Sequence, residues 1–563
     1  MPGDPLKIVI VGGVAGGASA AARARRANAN ADITILEKGP VVSFANCGLP
    51  YHLGDEIQDR SKLLVATAEL FWKRFRVRVC TGHTVQHIDR QTQTVHGITV
   101  EGQPFAMVYD RLILATGSEP VRPDFCNVSA NNVFQLWTLE DMDRILAFIR
   151  QNPCSKATVV GAGFVGLEVV EQLARLGMQV TLVERLPQVL GPLDPEMARL
   201  IQDELQLHAI QVCLNASVSH LEVLQGRVVE ARLEDGRCLP TDLVIVGAGV
   251  RPRIELAVSA GLAIGKSGGV TVNEYCQSSD PDIYAAGDMI EYRHGTLDQH
   301  IRMPLAGPAN RAGRVAGAHA ATGWSPSMPA VQGTSIVRVF DLAAGVTGLN
   351  ERLCKQHGIE YRVATIQAPH HASYFPGAQN VTLKILYSPV DRRLLGAQAV
   401  GKEGVDKRLD VAATVLHFRG TVDDLAGLDL AYAPPFGSAK DPIHQAAFVA
   451  QNDLATYPSL LPTHSDLDSY QVVDVRNSSE LEKLPLPGAI HIPVDEIVER
   501  WQELDSSKQT VVVCHSGKRA HVAASWLKGK GFSFVSNLNG GVSIRKLHEH
   551  RLLPTDEAGN QSG

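Results

Sequence analysis

The sequence predicts an α/β fold: two domains built on parallel sheets, one inserted in the other, then an α+β domain and a small C-terminal α/β domain. Three observations predict it. Short β-branched strands run into glycine turns at Ile8 to Gly17, Ala157 to Gly166 and Leu243 to Gly249, and strands alternating with helical patterns build parallel sheets from βαβ units. The glycine grammar stops near residue 326, where strands such as Ser335 to Phe340 and Leu383 to Tyr387 and a helix near Val405 to Phe418 take over. A stretch rich in Pro, Ser and Thr from Tyr457 to Thr463 then reads as a linker, after which strands Val472 to Val475 and Thr510 to Val513 start afresh.

Composition agrees. A chain of 563 residues is too long for one core, since cores stop growing at roughly 250 to 300 residues. Hydrophobic residues at 45% and charged residues at 20% are ordinary globular usage and exclude a disordered or collagenous chain. A net charge of -6 gives no global attraction for nucleic acid. The 50 glycines exceed the roughly 7% average without a collagen period, so they serve particular turns. Nine cysteines, an odd number irregularly spaced, do not form a disulfide scaffold, and a reducing, cytoplasmic compartment is expected. The apolar run Ile8 to Val11 is too short for a signal peptide, is broken by Gly12-Gly13, and has Arg23, Arg25 and Arg26 on the wrong side. No run of 18 apolar residues is present to insert in a membrane.

The elements divide the chain as follows. Residues 1–118 and 242–325 form the first domain and 119–241 the insertion, because Thr241 to Gly249 looks like the chain returning to the earlier sheet. Residues 326–452 form the α+β domain and 465–553 the last one; Asp556 to Gly563 reads as a frayed tail.

Gly161-Ala162-Gly163-Phe164-Val165-Gly166 fits G-x-G-x-x-G after the strand Ala157 to Val160. Its helix passes through Glu168, and the next strand, Val180 to Val183, ends in Glu184. The glycines allow a tight turn and close approach of a pyrophosphate, the helix N-terminus favours anions, and the acid accepts ribose hydroxyls. This is a Rossmann-like dinucleotide site. Glu184 favours NADH over NADPH, whose 2′-phosphate it would repel; Arg185 beside it pulls the other way. The N-terminal copy, Gly12-Gly13-Val14-Ala15-Gly16-Gly17, carries Val14 in place of the middle glycine, and its acid is Glu37.

Two further segments, Leu112 to Ser118 and Asp282 to Asp288, complete a quartet that resembles the pyridine nucleotide-disulfide oxidoreductases over residues 1 to about 450. The resemblance implies FAD in the first site, at Gly12, Gly13, Ala15, Gly16, Gly17, Glu37 and Lys38, then Ala115, Thr116 and Gly117, then Gly287, Asp288, Ala316 and Tyr432. It implies NADH or NADPH in the second, at Gly161, Gly163, Phe164, Val165, Gly166, Glu168 and Glu184. Two dinucleotides in one chain suit hydride transfer between them.

Relatives of the glutathione-reductase type carry two close cysteines after the first βαβ unit. Here Ser43-Phe44-Ala45-Asn46-Cys47-Gly48 contains one, and the next is Cys80. A single cysteine is ordinarily a small buried hydrophobe; in this motif Cys47 reads as a catalytic thiol with an external redox partner, activated if local charge or a helix terminus stabilises the thiolate. Residues 12 to 26 hold no histidine of the kind peroxidase relatives use, but do hold Ser19, Arg23 and Arg26. With Ser43 and Asn46 the pattern resembles coenzyme A-disulfide reductases. The resemblance implies coenzyme A contacts at Ser19, Arg23, Arg26, Ser43, Asn46, Asn310, Arg311, Tyr374 and Lys440. It also implies a homodimer in which His371 to Gly377 and Ala431 to Phe436 of one subunit complete the site of the other, Tyr374 and Tyr432 lying near the reacting sulfur. Phe75 stands where some relatives have a lysine, flanked by Lys73, Arg74 and Arg76.

Val511 to Ala520 reads as a strand, a cysteine loop and a helix start, with Cys514 as a thiolate or persulfide and Arg519 adding positive charge. The spacing of Arg519 after Cys514 does not itself separate this loop from a phosphatase's. With Asp474-Val475-Arg476, Pro487 to Pro493 and Leu538 to Gly541 the segment resembles a rhodanese domain; Val542 to Arg545 stand where a tryptophan is common. The combined resemblance implies reduction of coenzyme A persulfide, polysulfide or coenzyme A disulfide at Cys47, with Cys514 carrying sulfane sulfur. An NADH oxidase or peroxidase cycle and a redox-sensing interaction protein are the alternatives.

Overall fold

A computed structural model describes residues 4–549; the expected tail at 556–563 lies outside them. The chain forms two compact units, residues up to 185 with 210–333, and residues 186–209 with 334 onward.

The first unit holds two parallel sheets. One orders its strands Ile283–Ala285, Arg111–Leu114, Lys7–Val11, Asp32–Leu36 and Val77–Cys80, all parallel. Ile8, Ile10, Ile33 and Ile35 are fully buried, as continuous apolar strands must be when helices cover both faces. The helices Ala15–Ala27 and Ala306–Thr322 cross here through small residues. A Cβ added at Gly313 would lie 2.1 Å from the Gly16 carbonyl oxygen, and one at Gly317 2.2 Å from that of Ala20, so backbone approach dictates the Ala/Gly sequence of both helices. Ala316, expected to touch FAD, is fully buried in this core and packs the helix instead.

The second sheet runs Gln211–Cys213, Gln179–Val183, Lys156–Val160, Leu243–Val246 and Val133–Phe134, also parallel. This corrects one reading. Leu243–Val246 does not return to the first sheet: Leu243 pairs with Ala157 in the second, and the strand that rejoins the first sheet is Ile283–Ala285. The two crossings of the inserted chain, Ser118–Pro120 and Val250–Pro252, pair antiparallel with each other, so the insertion ends later than residue 241.

The inserted chain also loses residues 186–209 to the second unit, where the helix Pro195–Leu207 lies. Lys384, with no exposed surface, meets Asp194 at 2.8 Å, Glu351 at 2.6 Å, and Glu196. Burial of a lysine requires paired charge, and the segment 186–209 supplies two of the three carboxylates.

The rest of the second unit has two sheets. An antiparallel sheet orders Ser335–Val339, Leu342–Gly348, Leu394–Gly401, Asn380–Tyr387 and Arg362–Pro369, packed by the helices Val405–His417 and Pro442–Leu454. A parallel sheet follows, Ser459–Leu461, Val535–Leu538, Thr510–Val513, Gln471–Asp474 and Ile490–His491. Its edge strand Ser459–Leu461 falls inside the stretch expected to be a linker: Leu460 pairs with Asn537. The two sheets are also joined by Asn539, whose buried side chain accepts the Thr365 N–H at 2.8 Å. Among the described residues no helix is long and apolar enough to cross a membrane, and all nine cysteines are free thiols.

Candidate active sites

The two glycine turns of the first unit are built alike. Gly12 has φ +97° and Gly161 φ +103°; a Cβ on either would lie 2.3 Å from a carbonyl oxygen, that of Ala115 or of Gly247. Gly17 and Gly166 would each strike the carbonyl of the turn's own first glycine, at 1.8 and 1.9 Å. Their work is packing the helix onto the strand. The acid closing the second strand holds the turn in each case: Glu37 accepts the Gly13 N–H and Glu184 the Ala162 N–H, both at 2.7 Å. The middle position begins the helix with φ −91° at Val14 and −79° at Gly163. Any residue adopts such a φ, so Val14 leaves the first turn intact.

The expected cofactors fit this scaffold. A Cβ at Gly117, Gly163 or Gly287 would meet no protein atom within 4 Å, so each turn leaves an open cradle that a side chain would fill. Asp288 borders the Gly287 cradle, accepts the Ser118 hydroxyl at 2.7 Å, and has its pKa raised by burial. Thr116 donates to the Arg253 carbonyl at 2.7 Å, fixing the turn between Ala115 and Gly117. Lys38 has its pKa lowered by burial and by Arg253.

Cys47 sits on a single turn, Asn46–Gly48, leading into the short helix Leu49–Leu53. The loop before it is strained. Ser43 takes φ +52°, donates its N–H to the Gly13 carbonyl at 2.8 Å and accepts from Val65, so the cysteine loop is tied to the first glycine turn. The Asn46 side chain accepts the Cys47 N–H at 3.1 Å and lies 3.7 Å from its sulfur. Tyr51, one turn on, donates to Glu168 at 3.0 Å, bringing the second dinucleotide domain's helix to the cysteine. Cys47 is exposed at the surface, yet partial desolvation by its surroundings, Glu168 and Asp288 all push its thiol pKa up. The condition for activation, local positive charge on the thiolate, is not met by these neighbours.

Ser19, Arg23 and Arg26 follow one another at helical spacing on one face of Ala15–Ala27. The Ser19 hydroxyl donates to Asn310 at 2.5 Å, beside Arg311. The Arg23 Nε is buried and finds no hydrogen-bond partner among the described residues. Arg26 stacks over Phe75, 5.3 Å from the ring centroid, and Arg76 over Trp72. Lys73 pairs with Glu69 at 2.6 Å.

In the second unit two loops come together. Ala372 donates to the Gly437 carbonyl at 2.9 Å, and the exposed hydroxyls of Tyr374 and Tyr432 stand 3.1 Å apart. Lys440 is exposed next to Asp441, whose buried carboxylate accepts from Arg408 at 2.7 Å and caps the helix Pro442–Leu454.

Cys514 ends the strand Thr510–Val513 with its side chain 1% exposed. Its sulfur accepts the Gly517 N–H at 3.2 Å, made possible by φ +88° at Gly517, ahead of the helix Lys518–Gly529. Gly541, at φ +69°, lies under this loop, where a Cβ would be 2.5 Å from the carbonyl oxygens of both Cys514 and His515. The Ser543 hydroxyl donates to the His515 carbonyl at 2.8 Å and lies 3.1 Å from the Gln367 side chain, bracing the loop from below. Arg519 donates through both terminal nitrogens to Glu480, each at 2.6 Å. The pair holds the Glu480 carboxyl down at about 2. Sequence reasoning missed Glu480, although Asn477 and Glu480 have the spacing of a capping box. Four residues separate Cys514 from Arg519, one fewer than C-x5-R requires, so spacing does distinguish this loop from a phosphatase's. Asp474 and Arg476 form a fully buried bidentate pair that holds the neighbouring strand end.

The comparisons with known proteins cover nearly the whole chain. Residues 6–322 match the pyridine nucleotide-disulphide oxidoreductases, 334–442 the dimerisation domain of that family, and 458–543 the rhodanese-like domain. A coenzyme A disulfide reductase of Staphylococcus aureus is 35% identical over 446 residues, 79% of this chain and 100% of that protein. The crystal structure of reduced Bacillus anthracis CoADR-RHD superposes with a TM-score of 0.93 at 38% identity, covering 97% of this chain and 99% of that one. A NAD-dependent persulfide reductase from A. fulgidus superposes at 0.90 with 36% identity, covering 96% and 100%.

Proposed function

The chain belongs to the pyridine nucleotide-disulphide oxidoreductase family, and from that premise we propose an FAD-dependent NAD(P)H reductase of coenzyme A persulfide, polysulfide or coenzyme A disulfide, with a C-terminal domain that carries sulfane sulfur. The observation that carries it is the placement of Cys47: one thiol on a turn tied to the first glycine turn through Ser43 and to the second dinucleotide domain through Tyr51 and Glu168.

FAD, when bound, supplies a two-electron relay from NAD(P)H. Gly12, Gly13, Ala15 and Gly16 form its pyrophosphate turn, Glu37 meets its ribose, and Asp288 its ribityl and phosphate region. Gly161, Gly163, Phe164 and Val165 receive the nicotinamide dinucleotide, and Glu184 makes NADH the preferred donor. Ser19, Arg23, Arg26, Asn310 and Arg311 take the charged end of coenzyme A, joined by Lys440 of the partner subunit, with Ser43 and Asn46 beside its sulfur.

Cys47 acts as nucleophile. Its thiolate attacks one sulfur of coenzyme A disulfide, the sulfur–sulfur bond breaks, and one coenzyme A thiolate leaves and takes a proton. A mixed disulfide remains on Cys47. Two electrons originating in NAD(P)H then cleave it, restoring the thiolate and releasing the second thiol. With a persulfide or polysulfide the same displacement releases hydrogen sulfide or a shortened chain. Tyr374 and Tyr432, contributed by the partner subunit of a homodimer, donate hydrogen bonds to the departing sulfur anion. The free thiols fit a cytoplasmic setting.

One substitution and one comparison of rates test this. Cys47→Ser abolishes turnover of all three sulfur substrates while NADH still bleaches the flavin; surviving polysulfide reduction would overturn the proposal. Initial rates with polysulfide, coenzyme A disulfide, peroxide and oxygen rank the substrates, and faster turnover of oxygen or peroxide would favour the oxidase reading instead.

A further inference from the structure

The sulfur loop contains one arginine, and its charge is already matched. Arg519 Nη1 and Nη2 donate to Glu480 Oε2 and Oε1 in a two-pronged pair, both side chains about one-third exposed at 32% and 30%. A guanidinium recognises anions through a rigid planar fork. With both terminal nitrogens on one carboxylate, the end-on edge of that fork is taken, and a second anion is left the edge of Nε and the remaining Nη2 hydrogen. The Cys514 sulfur bears on the same guanidinium, its charged form raising the Arg519 pKa further. The other donor placed on the sulfur is the Gly517 N–H, at 3.2 Å.

We propose that Glu480 sets the donor preference of the sulfur loop, disfavouring sulfane donors whose reacting end is a dianion, such as thiosulfate, and favouring persulfides, whose reacting end carries one negative charge. The inference rests on the sulfur-carrier reading of Cys514 and adds the chemical class of its donor. The Glu480 carboxylate offsets the Arg519 charge beside the sulfur, so a dianion entering the loop brings two negative charges where Lys518 is the loop's other cation. A persulfide adds one. In either transfer the Cys514 thiolate attacks the sulfane sulfur, a new sulfur–sulfur bond forms, and the donor's bond breaks. Thiosulfate leaves as sulfite dianion and glutathione persulfide as glutathione thiolate, and Cys514 becomes a persulfide anion in both cases, so charge and atoms balance. Cyanide then removes the sulfane sulfur as thiocyanate and returns the thiolate.

The test is Glu480→Gln in the full-length holoenzyme. Glutamine keeps the side-chain length and still serves the third helical position of the capping box with Asn477. The substitution frees the fork, and the ratio of kcat/KM for thiosulfate over that for glutathione persulfide, measured by cyanolysis, rises about tenfold, the scale of one charge-assisted hydrogen bond. In Glu480→Gln/Arg519→Gln the ratio returns toward the wild-type value, because the released cation is gone. Coenzyme A disulfide reduction in both variants reports that the rest of the chain is intact. Cys514-dependent transfer with an unmoved ratio, or an equal fall with both donors, would overturn this inference alone. Transfer that survives Cys514→Ser would overturn the sulfur-carrier reading with it.

Discussion

The hydroxyl oxygens of Tyr374 and Tyr432 lie 3.1 Å apart, although 58 positions separate them in sequence. The hydrogen bond raises the Tyr374 pKa, so its phenol keeps its proton near neutrality and the pair has a hydrogen to donate. Tyr374→Phe removes one donor and leaves the loop anchor from Ala372 to Gly437 untouched. We expect kcat with coenzyme A disulfide to fall about tenfold, the scale of one hydrogen bond to a charged group, with the rate of flavin reduction by NADH unchanged in stopped-flow traces.

Glu168 opposes the Cys47 thiolate, together with burial and Asp288. Removing its negative charge favours the ionised thiol, so in Glu168→Gln the Cys47 pKa falls. The pH profile of iodoacetamide alkylation at Cys47, followed by mass spectrometry, should shift to lower pH. An unmoved or upward-shifted profile would show that Glu168 does not act on this thiol.

Sequence made the glycine turns legible because their geometry is local: φ and the clash of an added Cβ follow from a few adjacent residues, and Glu37 and Glu184 fall where the strand ends. The strand, cysteine loop and helix around Cys514 were legible for the same reason. The return of Leu243–Val246 to the second sheet was not, since its apolar pattern suits either parallel sheet and register is decided by tertiary pairing. The strand Ser459–Leu461 was hidden by its flanking prolines; as an edge strand paired on one side only, it tolerates them. Ala316 was carried over as a cofactor contact, and only the packing of two helices through Gly313 and Gly317 reveals that it is enclosed by protein.

Lys384 is the buried cation shared by Asp194, Glu196 and Glu351, and with Lys355 at the edge of Glu351 it holds the Glu351 carboxyl down at about 2. Lys384→Met removes the cation that Asp194 and Glu196 share at a buried site and should cost about 3 to 5 kcal/mol at pH 7 by urea unfolding. The sign with pH follows from the carboxylates. Without the lysine their folded pKa values rise above the unfolded ones, so they bind protons more readily when folded, and the deficit shrinks as pH is lowered from 7 toward 4. The wild type shows no such gain from Glu351, whose depressed pKa contributes stability above its unfolded value and loses it as pH falls toward about 2.

The two glycines of the second dinucleotide turn separate folding from binding. At Gly161, with φ +103° and a Cβ contact of 2.3 Å to the Gly247 carbonyl, alanine is both strained and blocked by backbone. Gly161→Ala should lower thermal stability and nucleotide affinity together. At Gly163, φ is −79° and an added Cβ meets no protein atom within 4 Å, so the protein accommodates alanine freely. The methyl group instead occupies the cradle where the pyrophosphate approaches the backbone. Gly163→Ala should leave the melting temperature within about 2 °C, the shift expected of a substitution costing under 0.5 kcal/mol, while raising KM for NADH at least about tenfold and leaving the KM for coenzyme A disulfide unchanged. An unaltered NADH KM in Gly163→Ala would mean that the dinucleotide does not cross this turn.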